Sequence, residues 1–292
     1  MNKKIVLIVI YLAIFLLGCS NSTKVESTPE VASYVLEEVD ITELPEDIAT
    51  LCNEYCSVGY YSDDEVDAYF WSDGIEKLSD ESFAGYVHAR INDDFFTLNN
   101  YEKDIVVKGA LSPQIYIADI NKDGIKDLTF SCCAESSSGS LISSFLGNEK
   151  GGFDYYDSLC WDPVKHKFAN GTDLSFSITL EDNYYYRIRH EGYNIDRRFK
   201  ISDSVLKYVF LPMGAYEGEK LTEEGKRWFE ERTIDLWEQG NLKILQEQYS
   251  TKIFVNYGIS TGYSTFEFEQ PITIIWTCGD HGFEIESVEI NE

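Results

Sequence analysis

Nine residues, Asp119-Ile120-Asn121-Lys122-Asp123-Gly124-Ile125-Lys126-Asp127, constrain this chain more than any other stretch. Oxygen-bearing side chains stand at positions 1, 3, 5 and 9 of the run, with glycine at 6. This alternation turns successive carboxyl and amide oxygens toward one centre. It suits Ca²⁺, a hard cation that takes roughly six to eight oxygens. Gly124 permits the sharp turn that folds the chain back around an ion, and the main-chain carbonyl of Ile125 falls at position 7. On either side, Gln114–Ala118 and Leu128–Cys132 are rich in β-branched and aromatic residues and read as short strands. The expected unit is a calcium-loop hairpin over 114–132. A solvated acidic turn without an ion is the competing reading.

The first half of the loop follows the EF-hand pattern, but position 12 is Phe130, where that pattern needs a bidentate Glu. The run IYIADINKDGIKDLTF, residues 115–130, instead resembles the core of an FG-GAP or VCBS-type repeat: apolar strand, D-x-N-x-D-G-x-x-D-L, apolar strand. The resemblance covers under a tenth of the chain. It implies Asp119, Asn121, Asp123 and Asp127 as side-chain ligands, Ile125 as a carbonyl ligand, Ca²⁺ as the cofactor and an extracytoplasmic setting. The loop occurs once, so a multi-bladed propeller is not expected.

The N-terminus reads as a targeting segment. Lys3 and Lys4 precede an apolar run from Ile5 to Leu17, the length of a signal-peptide core and short for a membrane span. The run ends Leu16-Leu17-Gly18-Cys19, which resembles a bacterial lipobox. That resemblance implies a signal peptide over 1–18, lipidation of Cys19, and anchorage to a cell membrane or outer membrane on its extracytoplasmic side. Acyl chains bury about 0.8 kcal/mol per CH₂, so several hold a protein firmly. Residues 19–45, Ser-, Thr- and Glu-rich at first, read as a flexible tether.

Net charge is −27, from 51 acidic and 24 basic residues, and removal of Lys3 and Lys4 leaves −29. Such a chain repels phosphate backbones, so nucleic acid is excluded as a partner. The remaining 46–292 is long enough for a large core, and a division near 215–220 is one way to partition it.

Helical spacing appears in two places. Ile48, Leu51, Cys52 and Tyr55 repeat at such spacing. Ser62-Asp63-Asp64-Glu65 reads as a capping box before Val66, Tyr69 and Phe70, and Asp80 as the start of a helix carrying Phe83, Tyr86, Val87 and Ile91. Later, Thr222 precedes Glu223 and Glu224. Phe229, Thr233, Leu236 and Trp237 share a side, with a stop at Gly240-Asn241 and a short helix over Leu242–Tyr249. Between and after these lie alternating runs: Leu174–Leu180, Tyr184–Arg189, Tyr193–Ile201, Lys252–Tyr257, Thr265–Glu269, Ile272–Thr277 and Phe283–Ile290. The expected class is α+β, with N-terminal helices followed by mostly antiparallel hairpins and one further helical insertion.

No catalytic constellation assembles itself. Gly258-Ile259-Ser260-Thr261-Gly262 satisfies G-x-S-x-G, with His281 as a formal base, but strand-like residues follow where a nucleophile elbow needs a helix. His88, His166, His190 and His281 show no metal spacing. Cys52, Cys56, Cys132, Cys133, Cys160 and Cys278 leave disulfides, buried thiols and, more weakly, a metal as open readings. Acidic pairs such as Asp63-Asp64 and Asp93-Asp94 read as loops and caps in so acidic a chain. Aromatic content of 14%, including Tyr184-Tyr185-Tyr186, suits a glycan or protein ligand as well as ordinary strands. The expected function is a non-catalytic, membrane-anchored surface lipoprotein with a structural calcium loop and a binding or adhesion role. The alternative is an exported hydrolase acting on an envelope or glycan substrate.

Overall fold

The computed structural model describes residues 29–52, 58–72, 76–77, 83–84, 87–98, 114–133, 140–162, 165–228, 230, 235–260 and 272–290. The expected signal peptide, Cys19 and the tether as far as residue 28 lie outside them. From Pro29 the chain is already paired: Val31 N–H donates to the Ile244 carbonyl at 2.9 Å and Gln246 N–H to the Pro29 carbonyl at 3.1 Å.

Strands β1 (Ser33–Val35) and β2 (Glu37–Glu38) follow, and they enter different sheets. After helical turns at Ile41–Glu43 and Glu46–Ala49 come β3 (Val58–Ser62), β4 (Asp67–Ser72), a small hairpin of β5 (Glu76–Lys77) and β6 (Phe83–Ala84), then β7 (Val87–Ile91) and β8 (Asp94–Thr97). They form an antiparallel sheet ordered β2-β3-β4-β7-β8. Strands β9 (Gln114–Ala118), β10 (Asp127–Cys133), β11 (Ser140–Gly147) and β12 (Phe153–Ser158) build a second sheet, ordered β1-β9-β10-β11-β12.

The central strands of this second sheet, β9 to β11, are covered on both faces, while β1 at one edge is exposed. Ile115, Leu128, Phe130 and Phe145 pack with Phe70, Ala89 and Ile91 of the first sheet in one core. Phe70 and Phe130 stack with centroids 4.2 Å apart and planes 7° apart. On the other side Tyr116, Ala118 and Ile142 join a larger core. Between these apolar layers the Thr129 and Ser144 hydroxyls satisfy each other at 2.8 Å.

The larger core is closed by the rest of the chain. A hairpin of β13 (Trp161–Asp162) and β14 (Lys167–Phe168) leads to a three-stranded meander, β15 (Ser177–Glu181), β16 (Tyr185–His190) and β17 (Ile195–Lys200). A helical turn at Asp203–Val205 runs into a π-helical turn, Leu206–Phe210, followed by β18 (Tyr216–Glu217), β19 (Lys220–Leu221) and the helix Glu223–Arg227. The last sheet is a meander of β20 (Asp235–Gln246), β21 (Thr251–Ser260), β22 (Ile272–Gly279) and β23 (Gly282–Ile290). Residues from both sides of 215–220 share this core, including Ile188, Tyr257, Ile274 and Trp276. No helix of the described residues is long and apolar enough to cross a membrane.

The expected α+β class is overturned: described helices are turns of three to five residues, and antiparallel strands carry the fold. Among the described residues of the N-terminal side only Glu46–Ala49 is α-helical, and Ile48 is its one buried residue. The supposed capping box Ser62–Glu65 is a hairpin turn between β3 and β4. Asp63 Oδ1 accepts Glu65 N–H at 2.8 Å and Val66 N–H at 2.7 Å. A helix cap makes the same local bonds, so the residues alone do not separate the two outcomes. Val87, Ala89 and Ile91 are buried while His88 and Arg90 are half-buried, a period of two. The helix expected from Asp80 is thus strand where it is described, and 78–82 lie outside the described residues. Thr222 does cap a helix, its Oγ1 accepting Gly225 N–H at 3.0 Å. That helix ends at Arg227, and Leu236 to Gln246 belongs to β20. Pairing with β21 decides this: Leu242 lies opposite Val255 and Ile244 opposite Ile253. A short apolar run satisfies either period until a partner strand buries one face.

Candidate metal centre

The acidic loop joins β9 to β10, two of the strands covered on both faces. Its side chains fold the backbone around themselves. Asp119 Oδ1 accepts Asp123 N–H at 3.1 Å and Oδ2 accepts Gly124 N–H at 3.0 Å. Asn121 Oδ1 also accepts Asp123 N–H at 3.1 Å, and Asp123 Oδ1 accepts Ile125 N–H at 2.8 Å. Asn121 Nδ2 donates to Asp123 Oδ2 at 2.9 Å. Lys122 and Gly124 both take positive φ, 65° and 89°. Only the second position is cheap, because glycine has no Cβ to clash. From outside, the Asp119 carbonyl accepts Gln246 Nε2 at 3.2 Å and Thr251 Oγ1 at 3.1 Å, which clamps the loop to the β20–β21 turn.

Asp127 behaves differently from the other three. It is 1% exposed. Its Oδ2 accepts the amides of Ile120 at 2.7 Å and Asn121 at 3.4 Å, and its Oδ1 accepts Gly147 N–H at 2.9 Å. Burial pushes its carboxyl up to about 6, against the opposing pull of those amides. Asp127 therefore frames the loop and ties it to the end of β11. Gly147 makes that tie possible: a Cβ there would sit 2.3 Å from the Lys126 carbonyl oxygen and 2.8 Å from Ile125 Cγ2. In the sequence Gly147 is marked only by the glycine and asparagine density from Gly147 to Gly152.

Among the described residues no three His, Cys, Asp or Glu side chains are arranged to hold a metal by themselves. An ion in this loop would need an amide oxygen, that of Asn121, and a main-chain carbonyl, that of Ile125, beside the Asp119 and Asp123 carboxylates. Ca²⁺ accepts all of these donor types. The backbone fold fits as well, since each carboxylate oxygen has two lone pairs and one amide bond does not exhaust it.

Beside the loop runs a groove of about 520 Å³, lined by Gly124 and Lys126, by Gly147, Asn148 and Gly152, and by Glu65 of the β3–β4 turn. Lys126 Nζ lies 2.5 Å from Glu65 Oε2 across it, with both side chains more than half exposed. Solvent screening makes such a pair weak. Asn92 braces the rim by donating from Nδ2 to the Gly151 carbonyl at 2.9 Å.

A second buried carboxylate, Asp157, joins β12 to β23. It accepts Ser158 N–H at 2.7 Å, Phe283 N–H at 2.7 Å and Asn170 Nδ2 at 3.1 Å. Burial holds its carboxyl above the ordinary value of 3.8. The native state then binds a proton more tightly than the unfolded chain. Stability contributed here falls as pH rises from about 4 through the raised pKa. Asp157→Asn is expected to flatten that part of the profile, read as urea midpoints of parent and variant at about pH 4, 5.5 and 7; parallel profiles would disprove it.

The other chemical groupings stay apart. Ser260 ends β21, opposite Asp235, whereas His281 lies past the end of β22 that pairs with Lys252. Eight residues of strand separate the two ends, on the order of 25 Å. Residues 261–271 lie outside the described set. Cys160 is buried, its Sγ accepting Ile142 N–H at 3.1 Å and Ser158 Oγ at 3.0 Å, and Cys278 Sγ lies 3.0 Å from the Tyr156 hydroxyl. Cys56 and the side chains of Cys132 and Cys133 lie outside the described residues. Compared with known families, characterised proteins and solved structures, the chain matches none.

Proposed function

We propose that this chain is a lipid-anchored bacterial surface protein, non-catalytic, in which Ca²⁺ stiffens the β9–β10 loop that walls a ligand groove. The anchor rests on the residues around Cys19 and their resemblance to a lipobox. The calcium reading rests on one observation above all: Asp119, Asn121 and Asp123 already wrap the backbone by side-chain-to-amide bonds around Gly124. Asp119, Asn121 and Asp123 would hold the ion with the Ile125 carbonyl, while Asp127 keeps the loop in register with Gly147. The ion would offset repulsion between neighbouring carboxylates. A glycan or protein segment is the ligand class the adjoining groove suits.

Thermal unfolding in chelator and in excess Ca²⁺ tests this. At about 100 times its dissociation constant the ion stabilises by about 2.7 kcal/mol, a shift of roughly 5–10 °C for a domain of this size. Asp123→Ala is expected to abolish the shift while unfolding like the parent in chelator. No shift, with no bound metal by elemental analysis, would reduce the loop to an acidic turn.

A further inference from the structure

Alternate residues of the β15–β17 meander go to opposite faces. Ile178, Leu180, Tyr186 and Ile188 are in the core. Outward, Arg187, Arg189, Arg198 and Lys200 stand against two carboxylates, Glu181 and Asp196, in a chain whose net charge is −27. Arg187 lies directly opposite Arg198 across β16 and β17. Like charges placed so destabilise a sheet, and two carboxylates among four cationic side chains offset this only in part. The two carboxylates order the forks without neutralising them. Asp196 is gripped by Arg187 through Nε and Nη2 and approached by Arg189 at 3.6 Å. Glu181 is shared by Arg198 at 2.7 Å and Arg187 at 3.5 Å. Each guanidinium has about five N–H donors, far more than four carboxylate oxygens accept. Arg198 also lies over the Tyr185 ring at 3.9 Å, which fixes its plane.

We propose that this face binds a carboxylate-bearing glycan, a polymer with a uronate on successive sugar rings. The way Arg187 takes Asp196 shows the group that fits: a carboxylate held fork to fork. Alternate residues on a strand are about 6.7 Å apart and neighbouring strands about 4.8 Å, so the three arginines form a triangle of forks that a chain of regularly spaced carboxylates can cross. A broad anionic membrane would be repelled by a chain of net charge −27 as a whole, whereas a slender polymer can follow the patch alone. This site is separate from the calcium loop and stands whether or not that loop holds an ion.

Calorimetric titration of the full chain with a defined oligogalacturonate tests it, with a neutral oligosaccharide, poly-glutamate and anionic vesicles as comparisons. The expected result is binding at low salt that weakens at least tenfold at about 0.5 M salt, where the screening length is a few ångströms. Arg187→Gln with Arg189→Gln should weaken it at least tenfold, and Lys243→Gln on β20 of the last sheet should not. Arg198→Gln alone is the second variant, should the double variant unfold at lower temperature. No binding at millimolar oligogalacturonate, or binding unchanged in the variants, would overturn the proposal. Equal or tighter binding to poly-glutamate or to vesicles would overturn the glycan as partner.

Discussion

Phe130→Ala is expected to cost about 3–5 kcal/mol, the range for removing a fully buried aromatic ring. Phe130 is 0% exposed and stacks on Phe70, so its ring joins the two five-stranded sheets. It also stands three residues after Asp127 on β10, and loss of that packing would loosen the strand that carries the loop's frame. Urea unfolding gives the measurement, with the midpoint falling while the slope stays constant. Phe95→Ala is the comparison: Phe95 is 51% exposed, and its loss should cost under about 1.5 kcal/mol. A cost below about 1 kcal/mol for Phe130→Ala would mean that the two sheets do not share a core.

Gly147→Ala should be nearly as damaging and more informative. The added Cβ meets the Lys126 carbonyl oxygen, which is backbone and cannot swing away. Overpacking of that kind costs about 1–3 kcal/mol. Displacing the chain also strains the Gly147 N–H bond to the buried Asp127 carboxylate, and an unsatisfied buried group adds about 1–3 kcal/mol. The displacement that strains this bond also relieves part of the clash, so the two costs overlap and a total of about 2–4 kcal/mol is expected, present in chelator as well as in calcium. Asp123→Ala should behave in the opposite way: Asp123 is exposed, so little is lost in chelator and the calcium response disappears. The two variants thereby separate frame from ligand. If Gly147→Ala unfolds like the parent in chelator, Asp127 and Gly147 do not brace the loop.

The strands beside the loop were legible because their apolar residues are local and bounded by turn signals. The closing strands over 252–257, 272–277 and 283–290 were legible for the same reason, and all three lie within β21 to β23. Helix and strand are not separable in the sequence where a residue's local habit serves two structures. Asp63 accepts the same two amides in a hairpin turn as it would at a helix N-terminus. Leu242 and Ile244 became strand because Val255 and Ile253 lie opposite them.

The sequence by itself determined the loop's own conformation. Spacing from Asp119 to Gly124 is enough to set its side-chain-to-amide bonds, since all the partners lie within five residues. Tertiary structure alone decided which group braces the loop and which charges gather on one face. Gly147 reaches Asp127 across 20 residues, and Thr251 reaches Asp119 across 132. Arg198 meets Glu181 only through the register of β15, β16 and β17. Local bonds follow from chain geometry at short range. Long-range ones depend on which apolar faces find each other first in burial, and that is a property of the whole fold.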